Sequence, residues 1–159
     1  MASGTPATVL LAKQGIAHTL HPYEHDPRSE AFGDEAAQAL GVEPQRIFKT
    51  LIVAVDNKLA CGVVPVAAKL DLKRLAASVG AKKAQMADAA AASRATGYVV
   101  GGISPIGQKS RLPVVLDESM QSFETVYVSA GKRGLQVELA PADLARVVSA
   151  TFGPIATPS

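Results

Sequence analysis

Phe48-Lys49-Thr50-Leu51-Ile52-Val53-Ala54-Val55-Asp56-Asn57-Lys58-Leu59-Ala60-Cys61-Gly62-Val63-Val64-Pro65-Val66 is the stretch that decides the fold. Residues 48–55 are dominated by β-branched and large apolar side chains and hold no turn residue, which is the mark of a strand about as long as an ordinary sheet allows. Asp56-Asn57 supplies a turn, and residues 59–66 return as a second apolar run, so the spacing predicts a β-hairpin.

Helical segments surround this hairpin. Thr5 and Pro6 provide an N-cap and a first-turn proline, Ala7, Leu10 and Leu11 point to one face, and Gly15 closes the helix. Residues 16–25 alternate as a strand, and a short helix over 34–40 ends at Gly41. Asp71 and Asp88 stand as N-caps before helices over 72–79 and 89–95, with Gly80 and Gly97 as their stops. Strands are expected over 112–116, 123–129 and 135–139, the last two joined by a turn at 130–134, and a final helix runs from Pro141 to about Ala150. Antiparallel hairpins with helices inserted between them predict an α+β fold with a strongly curved mixed sheet, mainly antiparallel. No repeat or linker divides residues 1–159, so a single domain is expected.

Composition narrows the function classes. Aromatic residues are 4% of the chain and tryptophan is absent, which argues against a sheet that stacks several RNA bases. A net charge of +2 is too small for a general nucleic-acid coat and leaves room only for a focal basic site. The single cysteine, Cys61, excludes an internal disulfide and a multi-cysteine zinc cluster, which suits a reducing compartment. No run approaches the length that spans a bilayer, and the expectation is a cytoplasmic protein without a membrane partner.

Chemistry is concentrated in a few places. Residues 96–107, Thr-Gly-Tyr-Val-Val-Gly-Gly-Ile-Ser-Pro-Ile-Gly, form a loop in which Gly101 and Gly102 leave bare backbone N–H groups and Pro105 fixes the exit. Such a loop suits an oxyanion or phosphate oxygen, or equally a tight turn between packed elements. Lys49 shares a strand face with Leu51, Val53 and Val55, so its ammonium either snorkels to the rim or meets an anion at a pocket mouth. His21, Tyr23 and His25 fall on one face of an extended segment. The two histidines would then lie about 13 Å apart at Cα, too far to share a metal ion, while Tyr23 could serve as a hydroxyl donor or as an ordinary half-buried tyrosine. Ser104 is not in a Gly-x-Ser-x-Gly elbow, and Cys61 has no cationic neighbour in sequence, so neither reads as a nucleophile. No metal and no cofactor is implied. A reacting nucleophile would have to be water or part of the substrate.

The motifs around Tyr23, Phe48-Lys49-Thr50-Leu51, the loop from Gly97 to Gly107 and Ser129-Ala130-Gly131-Lys132-Arg133-Gly134 together resemble the YbaK/EbsC family over almost the whole chain, from about Thr5 to Thr151. That resemblance implies a barrel-like curved sheet with helices around it, related to the editing domain inserted in bacterial prolyl-tRNA synthetases. It implies removal of cysteine from Cys-tRNA(Pro), with Cys-tRNA(Cys) as a further substrate. The expected chemistry is attack by the substrate's own thiol on its ester carbonyl. It places Lys49, Tyr23, Gly101 and Gly102 in the catalytic group. Phe32, Thr50, Ser104, Ser129, Lys132 and Arg133 fall around the substrate, and Asp117 is either near the site or a structural cap. The implied partners are the tRNA acceptor end and, transiently, prolyl-tRNA synthetase. Three other readings remain open on sequence: a water-using Ala-tRNA(Pro) deacylase of the same fold, a non-catalytic module that binds the tRNA 3′ end, and, despite the missing elbow, a serine hydrolase using Ser104.

Overall fold

The computed structural model describes residues 4–29 and 31–158. In chain order the elements are α1 (Pro6–Lys13), β1 (Thr19–Pro22), α2 (Phe32–Leu40), β2 (Phe48–Val55), β3 (Lys58–Pro65), β4 (Ala68–Leu70), α3 (Leu72–Ser78) and β5 (Ala84–Met86). They continue with α4 (Ala89–Thr96), β6 (Val114–Asp117), a 3-10 turn (Glu118–Ser122), β7 (Val126–Lys132), β8 (Leu135–Leu139), α5 (Pro141–Val148), β9 (Thr151–Gly153) and β10 (Ala156–Pro158).

The β2–β3 hairpin is the spine. It pairs antiparallel from Phe48 opposite Pro65 to Val55 opposite Lys58, within a five-stranded sheet ordered β5-β2-β3-β6-β9. The β3–β6 and β6–β9 pairs are parallel, which makes the sheet mixed. A second, antiparallel sheet, β1-β8-β7, meets the first through a parallel bridge between Ile47 and Tyr127. The two sheets curve around one core, and the expected α+β class with a curved, mainly antiparallel mixed sheet is what the structure has.

Both faces of the hairpin are apolar because both are covered. Phe48, Ile52, Cys61 and Val63 pack with Leu116, Val128 and Val137 on one side, while Val53, Val55, Ala60 and Val64 pack with Leu75, Val115 and Ile155 on the other. Strict alternation therefore gives way to the near-continuous hydrophobic run of a sheet buried on both sides.

Local chemistry sets the helix ends. Thr5 and Thr8 form a reciprocal capping box on α1, the Asp71 and Asp88 carboxylates cap α3 and α4, and Gly41 and Gly97 close α2 and α4 in the left-handed region. α2 starts at Phe32, two residues before the expected boundary and without a capping side chain. The strand expected over 16–25 is confined to Thr19–Pro22, since Pro22 cannot donate to a ladder. The strand expected over 123–129 begins at Val126 and runs to Lys132, with a bulge between Ser129 and Lys132. The short strands β4, β5, β9 and β10, three residues each, were not foreseen.

The loop after α4 is locked to the β7–β8 turn and to α1. Gly102 lies so close to the turn that a Cβ there would sit 2.7 Å from Lys132 Cα and 2.9 Å from Arg133 N. Tyr98 is buried, and its phenol donates to Ile106 O at 2.6 Å. The Ser104 hydroxyl accepts from Ile106 N–H at 3.1 Å. The Thr5 hydroxyl donates to Ala130 O and ties α1 to the bulge.

Overpacking against backbone cannot be relieved by a rotamer change, so Gly102→Ala is expected to destabilise the fold by about 1 to 3 kcal/mol. Urea denaturation would measure it, and a variant with wild-type stability would show that the loop is free to move away from the turn.

Candidate functional site

A cleft of about 480 Å³ opens where the two sheets meet. Its walls come from the start of α2 (Phe32, Gly33, Asp34), from β2 (Phe48 to Ile52), from Met86 at the end of β5 and Ala87 after it, and from α4 (Ala89, Ala92). The glycine loop (Val100, Gly101, Ile103) and the cross-strand pair Ser129 and Gln136 complete it. The parallel register of Ile47 with Tyr127 carries Lys49 level with Ser129, so three strands deliver their polar residues to one place.

Of the residues singled out in sequence, Phe32, Lys49, Thr50, Gly101 and Ser129 line this cleft. Lys49 is half-buried, and burial lowers its pKa below the ordinary lysine value. The Asp34 carboxylate opposes that shift and the Lys69 charge adds to it. Lys49 makes no ion pair among the described residues, which leaves a partly desolvated ammonium facing an open cleft. The Ser129 hydroxyl accepts from Gly131 N–H at 3.1 Å and keeps its own proton to donate.

Gly101 and Gly102 have separate tasks. The Gly102 N–H donates to Val99 O at 2.9 Å, so it is engaged inside the loop, and the expectation of two free neighbouring donors is narrowed to Gly101. Gly101 has a φ of 90°, and a Cβ there would lie 2.9 Å from the Phe32 ring and 2.7 Å from Arg133 Nε. Its N–H has no partner among the described residues.

The remaining candidates stand around the cleft rather than in its lining. Arg133 donates twice to Val100 O, at 2.9 and 2.6 Å, and lies over the Phe32 ring at 4.8 Å, which pins the loop to α2. Lys132 is exposed on the turn, and Ser104 is wholly buried beneath the loop. Tyr23 is half-buried beyond the end of β1, and its N–H donates to Gly134 O at 2.9 Å. Burial pushes its phenol above the ordinary value, against hydrogen bonds from the Gly134 backbone and the Gln136 side chain. Asp117 is a cap: its carboxylate accepts from Ser119 N–H and from Ile155 and Ala156 N–H, at the far end of β6. His21 and His25 turn to different carboxylates, Glu138 at 2.8 Å and Glu35 at 2.7 Å.

Gln136 was missed. It pairs with Ser129 across β7–β8, it is buried, and its Oε1 has no hydrogen-bond partner among the described residues; the buried Oγ1 of the half-buried Thr50 likewise has none among them. Two unpartnered buried polar atoms line one cleft beside one unpaired ammonium. The available signal was a glutamine inside an otherwise strand-forming run, which reads as a surface position unless the second face of β8 is known to be covered.

No nucleophile paired with a base lines the cleft among the described residues. Cys61 is buried elsewhere in the core, and burial pushes its thiol up to about 12. What the lining offers is the Lys49 ammonium and the opposite charge of the Asp34 carboxylate, hydroxyls, an amide oxygen and bare backbone, a set suited to holding a polar ester.

Comparison with known proteins gives that chemistry a class. The chain belongs to the aminoacyl-tRNA editing domain family, whose signature covers residues 27–147. Over 126 residues it is 44% identical to EbsC of Enterococcus faecalis, named as a candidate Cys-tRNA(Pro)/Cys-tRNA(Cys) deacylase, covering 78% of this chain and 76% of that protein. It is 25% identical over 139 residues to the multifunctional Ser/Thr-tRNA deacylase ProXp-y of Escherichia coli K12, covering 87% and 83% of the two chains. The crystal structure of a candidate trans-editing enzyme for prolyl-tRNA synthetase shares the fold at a TM-score of 0.84 and 24% identity, over 96% of this chain and 95% of that one.

An unpartnered buried hydroxyl costs stability in the empty protein, so Thr50→Val is expected to raise stability by about 1 kcal/mol while weakening substrate binding. Paired urea titrations and deacylation assays would test this. A loss of stability would show that the hydroxyl already has a partner in solution.

Proposed function

We propose that the protein is a trans-editing deacylase that removes cysteine from Cys-tRNA(Pro), and from Cys-tRNA(Cys), by attack of the substrate's own thiol. The observation that carries the reading is the lining of the cleft: a polar, hydrogen-bonding pocket holding one ammonium and one carboxylate, without a nucleophile–base pair among the described residues, in a chain 44% identical to EbsC. The substrate thiol gives up its proton, its sulfur bonds to the ester carbonyl carbon, and the carbonyl oxygen takes the negative charge. Collapse expels the terminal ribose oxygen, which takes a proton, and cysteine departs as a four-membered cyclic thioester. Proximity supplies up to roughly 7 to 11 kcal/mol, less the strain of so small a ring.

Gly101 N–H is the donor assigned to the oxyanion, a contact worth about 3 to 4 kcal/mol in a water-poor site. Lys49 holds the terminal nucleotide as a point charge, with Tyr23 behind Gln136 ordering the pocket. Thr50 Oγ1 and Gln136 Oε1 take the substrate's N–H or O–H donors, which relieves their unpaired state. Phe32, held by Arg133, forms the apolar wall. The protein would act in the cytoplasm and reach mischarged tRNA through a transient complex with prolyl-tRNA synthetase, which raises effective concentration without new contacts in the pocket.

The similarity to a Ser/Thr-tRNA deacylase favours one rival, attack by water on a substrate without a thiol. Single-turnover rates on Cys-, Ser- and S-methylcysteinyl-tRNA(Pro) separate the two. Thiol attack predicts rapid loss of cysteine alone, whereas comparable rates at saturation would establish the water mechanism. Because a thiol ionises near 8.5, the rate is expected to rise with pH. It should fall again below the ordinary lysine pKa, since burial lowers the value at which Lys49 loses its charge. Lys49→Ala and Lys49→Arg are both expected to lose at least roughly tenfold in kcat/KM with the circular dichroism spectrum unchanged. A folded Lys49→Ala protein with wild-type turnover would remove the lysine from the mechanism. Cys61→Ser is expected to retain most activity, and its complete loss in a stable variant would return the reaction to a protein thiol.

A further inference from the structure

We propose that a second cleft, further along the β2–β5 pair from the editing cavity, carries the phosphate backbone of the acceptor strand, so that RNA enters along this edge strand. The inference rests on the aminoacyl-tRNA reading above. The cleft has a volume of about 620 Å³ and is lined by Lys73 from α3 and by Lys82 and Lys83 before β5, together with Asp56 and Asn57. All three lysines are exposed, and none makes an ion pair among the described residues. The acidic residue beside them is directed to the main chain: the Asp56 carboxylate accepts the backbone N–H groups of Lys82, at 3.2 Å, and Lys83, at 3.0 Å. It orders the turn while the ammonium groups remain without a carboxylate partner.

β5 joins the two sites. It is the edge of the five-stranded sheet, with Ala84 and Gln85 lining the basic cleft and Met86 lining the cavity. β5 spans Ala84 to Met86 with Lys83 and the bend at Lys82 just before it, so the lysines lie at most about 13 Å of chain from Met86. A duplex strand carries one phosphate per roughly 3.4 Å of helix axis and an extended single strand fewer, so the lysines fall within about four nucleotides of a 3′ end seated in the cavity. Met86 and Val100, which line the cavity, are exposed apolar side chains available to meet the base faces next to the ester. Lysines act here as point charges and read no base edge, so the contact holds any acceptor strand equally. Selection among tRNAs then belongs elsewhere.

The test compares the wild-type chain with a combined Lys73→Gln, Lys82→Gln, Lys83→Gln variant and with Lys13→Gln, a lysine on α1, as the charge control. Binding of a deacylated acceptor-stem minihelix is followed by fluorescence anisotropy between about 50 and about 200 mM salt. The triple variant is expected to bind about tenfold or more weakly at the lower salt, with the log–log salt slope reduced by about 2, three contacts at roughly 0.7 each. Turnover of cysteinyl-adenosine, too small to reach the lysines, should stay at the wild-type rate, as should the melting temperature. Wild-type affinity and slope in the triple variant would overturn the proposal, as would an equal loss in Lys13→Gln. Failure of the wild type to cleave either cysteinyl-adenosine or Cys-tRNA would overturn the deacylase reading instead, while the minihelix titration decides the lysine surface independently.

Discussion

The contact on which the site depends is backbone against backbone: the Gly102 α-carbon lies against the main chain of Lys132 and Arg133, with no room for a methyl group between them. From that contact outward each placement follows. The loop is held down, Gly101 is set at φ 90° against Phe32, and Arg133 reaches back to Val100 O across the same seam. Beneath, Tyr98 lies against Gly131 and closes its hydrogen bond on Ile106. Interiors packed at this density transmit displacement instead of absorbing it, so a loop without secondary structure can present one backbone amide at a fixed position.

Above this rigid floor the cleft is electrostatically unfinished. Among the described residues Thr50 Oγ1 and Gln136 Oε1 are buried without partners, each at a cost of about 1 to 3 kcal/mol, and the partly desolvated Lys49 has no carboxylate within ion-pair reach. A fold selected only for stability would hold valine or leucine at the first two positions. These imbalances share one cleft, and a ligand carrying both an anionic group and N–H or O–H donors settles them together. The low dielectric that makes the unpaired atoms costly also strengthens the bonds formed when such a ligand arrives.

The β2–β3 hairpin was legible because eight consecutive strand-forming residues and a two-residue turn leave few alternatives, and the capping aspartates of α3 and α4 were legible because capping is local chemistry. The parallel β6 was legible as a strand but not in its direction, which is set by the crossover that brings Val114 beside Cys61. β4, β5, β9 and β10 are three residues long and exist only through tertiary pairing: β5 and β9 on the edges of the five-stranded sheet, β4 and β10 with each other. The same limit separates the site residues. Lys49 betrayed itself as a charge in an apolar run, whereas Gln136 looked like the outward residue of β8 until the cross-strand pairing with Ser129 turned it into the cleft. Ser104 and Gly102 carried the same loop signal as Gly101, and only the tertiary contacts divide the one that lines the cavity from the two that hold it in place.

A pocket in which no described residue pairs a nucleophile with a base changes, under the proposed mechanism, where selectivity resides. Discrimination by shape alone between amino acids that differ by a methylene is worth about 1 to 3 kcal/mol, too little to spare correctly charged proline while destroying cysteine of smaller volume. Under the proposed mechanism the decision is chemical. Proline enters a cavity of adequate size, meets Lys49, Thr50 and Gly101, and does not react, because its side chain has no atom that can attack its own ester. Cys61, with its thiol held protonated in the core, and Ser104, with its hydroxyl engaged beneath the loop, are then what such an enzyme requires: a protein nucleophile in the cleft would attack every ester that entered and erase the distinction.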